Sequence, residues 1–330
     1  MAAILDFWLS GWGTTPATTT TTSTTTSSTT TAASTTTAAV TTSPGEVMIW
    51  RDALGTDHSL SGQAQFQIER GQQGLWMPPV MLAHDELPFQ PGARLRQARI
   101  SARQLMLPLL VYAANRGALW STLRSVLTWF DSTRGDGLLR LIAPDGSERQ
   151  LTCRYADGLQ GRGGADTDGV EWQRFGVVLW AADPYWYAAV PITKRYGNGA
   201  SATFFPFFPL RLGGSTVFAT DTLINTGDAE AWPIWTLTGP AIDPVLRNLT
   251  TGAYLKLRLT LPSFTQLTID TTPGSKSVWD GAGTSLFRTL SADSTLWPLV
   301  IGSNALQMEA GGVTGETRMT LRYRLRYLGA

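Results

Sequence analysis

WQRFGVVLWAADPYWYA, the stretch from Trp172 to Ala188, decides the fold class of this chain. Its first part, Trp172 to Trp180, is rich in the aromatic and β-branched residues that strands favour. The strand runs directly into Ala181 to Ala188, where the Asp-Pro pair marks a turn. We therefore predict a strong strand here, within a chain that is mainly β.

Other β patterns precede this strand. They are Glu46–Arg51, Leu95–Met106, and a hairpin formed by Leu138–Ala143 and Glu148–Tyr155 around a Pro-Asp-Gly turn. In Leu95–Met106, apolar Ala98, Ile100 and Ala102 alternate with Arg99, Ser101 and Arg103. The alternation predicts a half-buried strand with Arg103 on the polar face.

One helix is predicted near residues 115–132. Asn115 can cap its start, and Gly135 offers a stop. Its apolar positions follow helical spacing and are Leu119, Trp120, Leu123, Val126, Leu127 and Phe130. We expect this stripe to pack on the sheet.

The second half of the chain is all β. A Gly-, Pro- and Phe-rich stretch, Tyr196 to Gly214, predicts a junction between domains. Beyond it the predicted strands are Trp232–Gly239, Ile242–Asn248, Ala253–Thr260, Thr265–Asp270, Ser285–Leu290, Ala305–Glu309 and Arg318–Tyr327. Short strands without helical periodicity favour a sandwich or barrel.

The N-terminal region has a different composition. Thr14 to Ser43 is almost entirely Thr, Ser and Ala, which cannot offset the entropy of ordering. It is either an extended arm that lies on a partner or a flexible linker. Before it, Phe7, Trp8 and Trp12 belong to a short apolar plug. The plug either anchors in a neighbour's pocket or folds back on its own domain.

Composition excludes several classes of function. The 26 basic and 25 acidic side chains give a net charge of +1, so no overall field draws the chain onto nucleic acid or anionic lipid. Cys153, His58 and His84 are the only Cys and His residues, which excludes an internal disulfide and a Cys/His zinc site. No cofactor motif is recognised, no apolar run reaches bilayer length, and the first residues lack the features of a cleaved signal peptide.

Catalytic patterns are also missing. His58 and His84 lie in polar or proline-rich sequence without a nucleophile-elbow pattern, so both are interpreted as surface or turn histidines. The carboxylates Asp85, Glu86, Asp166, Asp168 and Glu171 are interpreted as turn formers and solvated charges. We predict that the chain is not an enzyme.

Near the C-terminus, Arg322, Arg324 and Arg326 share one face of a strand. Leu321, Tyr323, Leu325 and Tyr327 occupy the other face. The arginines either meet the phosphates of DNA that passes through a lumen or form a charged outer face that pairs with acidic neighbours and discourages aggregation.

Three stretches together resemble the distal tail proteins of siphophages. They are LWAADPYWY at Leu179–Tyr187, NTGDAEAWPIWTLTGPAIDPVLRNLTTG at Asn225–Gly252, and YRLRYL at Tyr323–Leu328. The first resembles the end of that family's first domain and the second resembles the opening of its second domain. The family does not usually carry the first 44 residues of this chain.

The resemblance implies a structural virion protein at the distal end of a phage tail. It implies an N-terminal β domain with one packed helix that forms a hexameric ring, followed by a galectin-like β-sandwich. The implied partners are copies of itself, the tail tube protein, the baseplate hub protein and the tape measure protein. The ring would join the tail tube to the hub and to the receptor-binding machinery.

The sequence therefore divides as an arm at 1–44, a ring-forming domain at 45–195, a junction at 196–224 and a sandwich at 225–330. The predicted interface residues are Phe7, Trp8, Trp12, Tyr185, Trp186 and Tyr187. An alternative function is a carbohydrate-binding module for cell-wall glycans, in which Trp232, Trp235, Trp279 or Trp297 stacks on sugar rings.

Overall fold

The computed structural model describes residues 45–63, 65–86, 89, 91–161, 164, 168–197 and 217–330. Strands dominate these residues, and a single α-helix interrupts them. The predicted mainly β fold class is therefore confirmed. The Thr-rich arm, the apolar plug and most of the Gly/Pro/Phe-rich junction lie outside the described residues.

The elements fall into two groups along the chain. The first group is β1 (Val47–Arg51), β2 (Asp57–Ser59), β3 (Phe66–Ile68), β4 (Val80–Glu86), β5 (Ala93–Ile100), β6 (Arg103–Tyr112), α1 (Arg116–Trp129), β7 (Gly137–Ile142), β8 (Glu148–Asp157), β9 (Trp172–Ala181) and β10 (Trp186–Ala188). The second is β11 (Ile192–Gly197), β12 (Val217–Asn225), β13 (Ile234–Thr238), β14 (Ala241–Asn248), β15 (Tyr254–Lys256), β16 (Thr260–Leu261), β17 (Gln266–Asp270), β18 (Ser277–Asp280), β19 (Gly302–Gly311), β20 (Arg318–Tyr323) and β21 (Arg326–Tyr327).

The first group forms a sheet in the order β2-β1-β7-β8-β9-β6-β3, and β10 pairs with the beginning of β8. The middle strand β8 pairs with β7 over residues 148–153 and with β9 from Arg154 onward. It thus joins the two halves of the sheet. One cluster of buried apolar side chains draws on both halves and includes Trp50, Leu107, Leu139, Leu151 and Val177.

The helix begins where the sequence predicts. The Asn115 side chain accepts a hydrogen bond from the backbone N–H of Ala118 at 2.9 Å, which satisfies one of the free donors of the first turn. Leu119 and Val126 are buried in the first core. Leu127, which the spacing also places in the stripe, is 52% exposed, so the buried stripe is narrower than predicted.

The second group forms two five-stranded sheets. One has the order β11-β20-β13-β17-β18, and the other has the order β12-β19-β14-β15 with β16 beside β14. A second apolar cluster takes residues from both sheets, and Trp235 and Trp297 meet edge to face within it with ring centroids 5.7 Å apart. This is the predicted β-sandwich. Its galectin-like character stays a prediction.

The sandwich begins earlier in the chain than predicted. β11 pairs with β20 along its whole length, from Ile192 opposite Tyr323 to Gly197 opposite Arg318. Residues 192–195 therefore pair with the second group rather than with the first sheet. The other end of the predicted junction also belongs to the sandwich, because β12 covers Val217–Asn225.

Two predicted strands are wrong in detail. Leu95–Met106 is not one half-buried strand, since β5 ends at Ile100 and β6 begins at Arg103. β5 is almost entirely exposed, whereas Arg103 is fully buried instead of lying on a polar face. Ser285–Leu290 contains a short 3₁₀ helix at Phe287–Thr289, held by a backbone bond from the N–H of Leu286 to the carbonyl of Val278.

The end of the chain returns to the first sheet. The predicted strand Arg318–Tyr327 is split, and its last part, β21, pairs with β10 so that Tyr327 lies opposite Trp186. The backbone N–H of Ala330 then donates to the carbonyl of Leu75 at 2.9 Å. The last residues of the sandwich are thereby bound to the first domain.

The buried side chain of Arg103 helps to hold the C-terminal segment against the first domain. The guanidinium of Arg103 is 0% exposed and donates only to backbone carbonyls, those of Gly74, Leu75, Trp76, Pro184 and Leu328. Burial lowers the pKa of Arg103 to about 10, so the group is charged at neutral pH. The five carbonyls replace the water that this cation has lost.

Candidate assembly surface

The most exposed secondary structure is the hairpin formed by β4 and β5. Its strands pair with each other from Val80 opposite Ile100 to Glu86 opposite Ala93, with a bulge between Ala83 and His84. Among the described residues neither strand pairs with another sheet. An isolated two-stranded hairpin is marginal in water, and its outer edges present unpaired backbone groups. The hairpin is therefore suited to pairing with another chain.

One face of the hairpin is apolar. The register places Val80 and Leu82 beside Ile100 and Ala98, and the side chains of Val80 and Leu82 are 43% and 55% exposed. Arg99 lies opposite Met81 on the other face. An exposed apolar patch bordered by charge is typical of a protein contact.

The outer side of α1 carries a second exposed apolar group. Trp120 is 52% exposed and lies between Arg116 and Arg124, whose guanidinium carbons are 5.9 and 6.0 Å from its ring centroid. Leu127 follows two turns later on the same side. Arg116 is also held by the carboxylate of Asp168 at 2.7 Å.

The predicted aromatic cluster divides into core and surface. Trp186 is fully buried, and its Nε1 donates to the carbonyl of Leu75 at 3.1 Å, so its side chain is available to no partner. Tyr185 is partly exposed under the guanidinium of Arg326, 3.9 Å from the ring centroid. Tyr187 donates to Asp183, and burial together with that carboxylate raises its pKa. An interface role stays a prediction for Tyr185 and Tyr187.

Phe7, Trp8 and Trp12, the other predicted interface residues, lie outside the described residues. Their roles stay predictions.

The two histidines, His58 and His84, lie in different surroundings. His58 is mostly buried, with Nε2 3.0 Å from the Asp52 carboxylate and its ring stacked on Trp129 at 4.2 Å. Asp52 also accepts the N–H groups of Leu54 and Thr56, which closes the β1–β2 turn. His58 lies on strand β2 and is mostly buried, so the predicted surface or turn position is wrong for it, whereas His84 is exposed on the hairpin.

The described carboxylates serve mainly in ion pairs and turns. Asp168 pairs with Arg116, and Asp85 pairs with Arg96 across the hairpin. Asp166 lies outside the described residues. No set of three Cys, His, Asp or Glu side chains in the described part of the chain could hold a metal ion. Within the same residues, no helix has the length and hydropathy to span a bilayer.

The C-terminal arginines alternate as predicted, but two of the three are engaged within the chain. Arg324 donates to the carbonyls of Ala188 and Ala189. Arg326 donates to the carbonyl of Glu230 and lies 3.5 Å from the Asp183 carboxylate. Arg322 is exposed on β20. This arrangement favours the interpretation as a charged outer face over a row for DNA phosphates.

Of the four tryptophans that could stack on sugars, Trp235 and Trp297 are buried in the sandwich core. Trp232 is partly buried, and Trp279 is 44% exposed. The pairing of Trp279 with Thr268 places it near the edge of its sheet, on β18.

Comparisons with known proteins agree with this architecture. Residues 226–327 match the family model described as siphovirus-type tail component, C-terminal domain. The fold matches the crystal structure of SPP1 Dit (gp 19.1), described as a paradigm of the hub adsorption apparatus in phages that infect Gram-positive bacteria. That match has a TM-score of 0.61 and 14% identity, and covers 85% of this chain and 98% of that one. Two structures of the phage P2 baseplate in its activated conformation, with Ca and with Sr, match more weakly, with TM-scores of 0.47 and 0.48, 10% identity, and coverage of 84% of this chain and 97% of theirs. No curated protein sequence matches.

The fold is therefore that of a phage tail component, with a helix-bearing β domain before a sandwich. Residues 226–327 match the model of the siphovirus-type tail component family, C-terminal domain, and the predicted resemblance to siphophage distal tail proteins is confirmed. The family match also supports the predicted location at the distal end of a virion tail. Neither match is to a catalytic family.

Proposed function

We propose that the protein is a structural component of the phage tail tip that assembles into a hexameric ring through its first domain. The observation that carries this proposal is the β4–β5 hairpin, whose edges are unpaired in the described structure and whose apolar face is exposed. A second copy offers a sheet edge for the backbone and an apolar surface for Val80 and Leu82. The ring connects the tail tube protein to the baseplate hub protein and receptor-binding machinery, and surrounds the tape measure protein.

Assembly of the purified full-length chain tests the self-association. Light scattering and negative-stain electron microscopy should show rings with sixfold symmetry. Leu82→Asp should dissociate them, because it places a charge in a contact that excludes water. Leu54→Asp is the matched control, since Leu54 is 71% exposed in the β1–β2 turn and lies away from the hairpin. A chain that stays monomeric at high concentration, or rings that persist with Leu82→Asp, would contradict the proposal.

The alternative function, a carbohydrate-binding module built on tryptophan, receives less support. Two of its four candidate side chains fill the core of the sandwich, which leaves Trp232 and Trp279. Titration of the full chain with a panel of neutral cell-wall glycans tests it. Binding that Trp279→Ala abolishes would favour the module, whereas flat titrations would remove it.

A further inference from the structure

The sandwich has a concavity whose chemistry the assembly role does not use. It measures about 420 Å³ and is lined by Arg258, Arg288, Thr289, Leu290, Ser291, Ala292 and Asp293. These residues come from the segment after β15 and from the loop that contains the 3₁₀ helix. Two guanidinium groups, hydroxyl groups and a carboxylate thus line a single depression.

Backbone bonds make this depression rigid. The N–H of Arg258 donates to the carbonyl of Thr289 at 2.7 Å, and the N–H of Ser291 donates to the carbonyl of Lys256 at 2.9 Å. The Ser294 hydroxyl adds bonds to both the N–H and the carbonyl of Lys256. Both walls are therefore fixed before any ligand arrives, which lowers the entropic cost of binding.

The two arginines keep most of their hydrogen-bonding capacity. Neither forms an ion pair within the described part of the chain, and the Arg258 guanidinium has one long bond, 3.3 Å, to the Ser291 hydroxyl. Arg288 is exposed and has no hydrogen bond to another described residue. Guanidinium groups with free donors in a concavity match the oxygens of a phosphate or carboxylate.

The carboxylate of Asp293 lies near Arg258 in this depression, because the Ser291 hydroxyl accepts from the guanidinium at 3.3 Å and donates to the carboxylate. It accepts hydrogen bonds from the hydroxyls of Ser291, at 2.5 Å, and Tyr254. These two hydroxyls lower the pKa of Asp293 to about 2, so it is ionised at neutral pH. This carboxylate repels an anion, whereas ligand hydroxyls can donate to it.

A polar strip continues from Tyr254 across the outer face of the second sheet. The guanidinium carbon of Arg247 lies 5.3 Å from the ring centroid of Tyr254, and its Nε donates to Glu309 at 2.9 Å. Gln307 donates to the same carboxylate at 3.0 Å. Carboxylate, amide and aromatic groups in a row suit a ligand that has several hydroxyls.

We propose that this concavity binds a saccharide or polyol that carries a phosphate or carboxylate group. The anion lies at Arg258 and Arg288, and the hydroxyls point toward Asp293 and Tyr254. The inference goes beyond ring assembly and does not depend on it, because all of the residues belong to the sandwich of one chain.

Calorimetric titration of the full-length chain with four probes tests the site. Glycerol 3-phosphate and glucuronate carry both an anion and hydroxyls, whereas inorganic phosphate and glycerol each carry one of the two. We expect saturable binding of glycerol 3-phosphate or glucuronate with a dissociation constant on the order of 1 mM. Whichever of these two binds more tightly identifies the anion. Inorganic phosphate and glycerol should bind at least about tenfold more weakly.

Variants assign the binding to these residues. Arg258→Gln and Arg288→Gln should each weaken binding by about tenfold or more, because each removes a charged hydrogen-bond donor. Arg322→Gln is the control, since Arg322 is exposed on β20 in the opposite sheet. Circular dichroism verifies the fold of each variant, and all three substitutions are at exposed positions, where a loss of folding is not expected.

Three results would overturn the proposal: no saturable binding of any probe, equal binding of inorganic phosphate and glycerol 3-phosphate, or unchanged binding in both arginine variants. The Leu82→Asp protein separates this proposal from the assembly role. It should bind the probes with unchanged affinity even where it no longer forms rings, whereas loss of probe binding in that variant would contradict a site confined to one sandwich.

Discussion

Replacing Arg103 by Met removes one of the donors that bind the C-terminal segment to the first domain. Met has a similar length and fills the same space, so the change isolates the hydrogen bonds from the packing. Leu75 keeps two other donors to its carbonyl, Ala330 N–H and Trp186 Nε1. Four other carbonyls lose the hydrogen bond from the Arg103 guanidinium: those of Gly74, Trp76, Pro184 and Leu328.

The size of the effect follows from these four groups. A buried carbonyl left without a partner costs about 1 to 3 kcal/mol. These four bonds are only partly buried, so each counts at the lower end of that range and the gross loss is about 4 kcal/mol. Removing a buried charge recovers part of this loss, because the guanidinium no longer has to be desolvated. We expect a net decrease of about 3 kcal/mol in the free energy of unfolding.

Urea unfolding followed by tryptophan fluorescence measures this decrease, and hydrogen exchange locates it. The amides of Leu328 and Ala330 should exchange much faster in Arg103→Met, while those of β13 and β17 should lose little protection. Arg322→Met, at an exposed position, is the control and should change stability by less than about 0.5 kcal/mol. A decrease below about 1 kcal/mol, or unchanged exchange at Leu328, would refute the role assigned to Arg103.

Three further changes test other parts of the fold. Asn115→Ala should lower stability by about 1 kcal/mol through loss of the helix cap, which urea unfolding can compare with Ser125→Ala in the exposed middle of α1. Gly158→Ala should lower the free energy of unfolding by about 3 kcal/mol or more, because a Cβ there would lie 1.8 Å from the carbonyl oxygen of Gly176. The control Gly146→Ala, at a position with a positive φ but open space, should lower it by only about 1 kcal/mol. Equal decreases in melting temperature for the two variants would contradict this account. Burial and the Asp221 carboxylate raise the pKa of Tyr196 above its value of 10 in the unfolded chain. The stability that its neutral form contributes is therefore present below pH 10 and is lost at higher pH. In unfolding titrations above pH 10, Tyr196→Phe should lose stability less steeply than the wild type.

Local patterns predicted the regular parts of the fold. β9 covers Trp172–Ala181, and α1 begins after its predicted cap Asn115. These elements could be predicted because their side-chain period and their end signals agree. The prediction of one half-buried strand at Leu95–Met106 was wrong, because the same alternation is found in an exposed hairpin strand and in a half-buried one. Only tertiary contacts decide between them.

The candidate surfaces were harder to predict than the strands. β4 was missed, although the apolar run at Val80–Leu82 follows Pro78 and Pro79 and could have indicated a strand start. The concavity at Arg258 and Asp293 joins residues that are distant in sequence, and no motif connects them. Trp186 looked like an anchor because its sequence is aromatic, but its burial depends on Leu75, which is far away along the chain.

The pairing of β21 with β10 has a consequence for biogenesis. A ribosome completes the whole sandwich before it adds the two residues that close the first sheet. Until then Arg103 lacks the Leu328 carbonyl, and the edge of β10 is open to other nascent chains. Long-range closure of this kind slows folding. The first domain should thus acquire its final protease resistance only after the residues of β21 have been synthesised and have paired with β10.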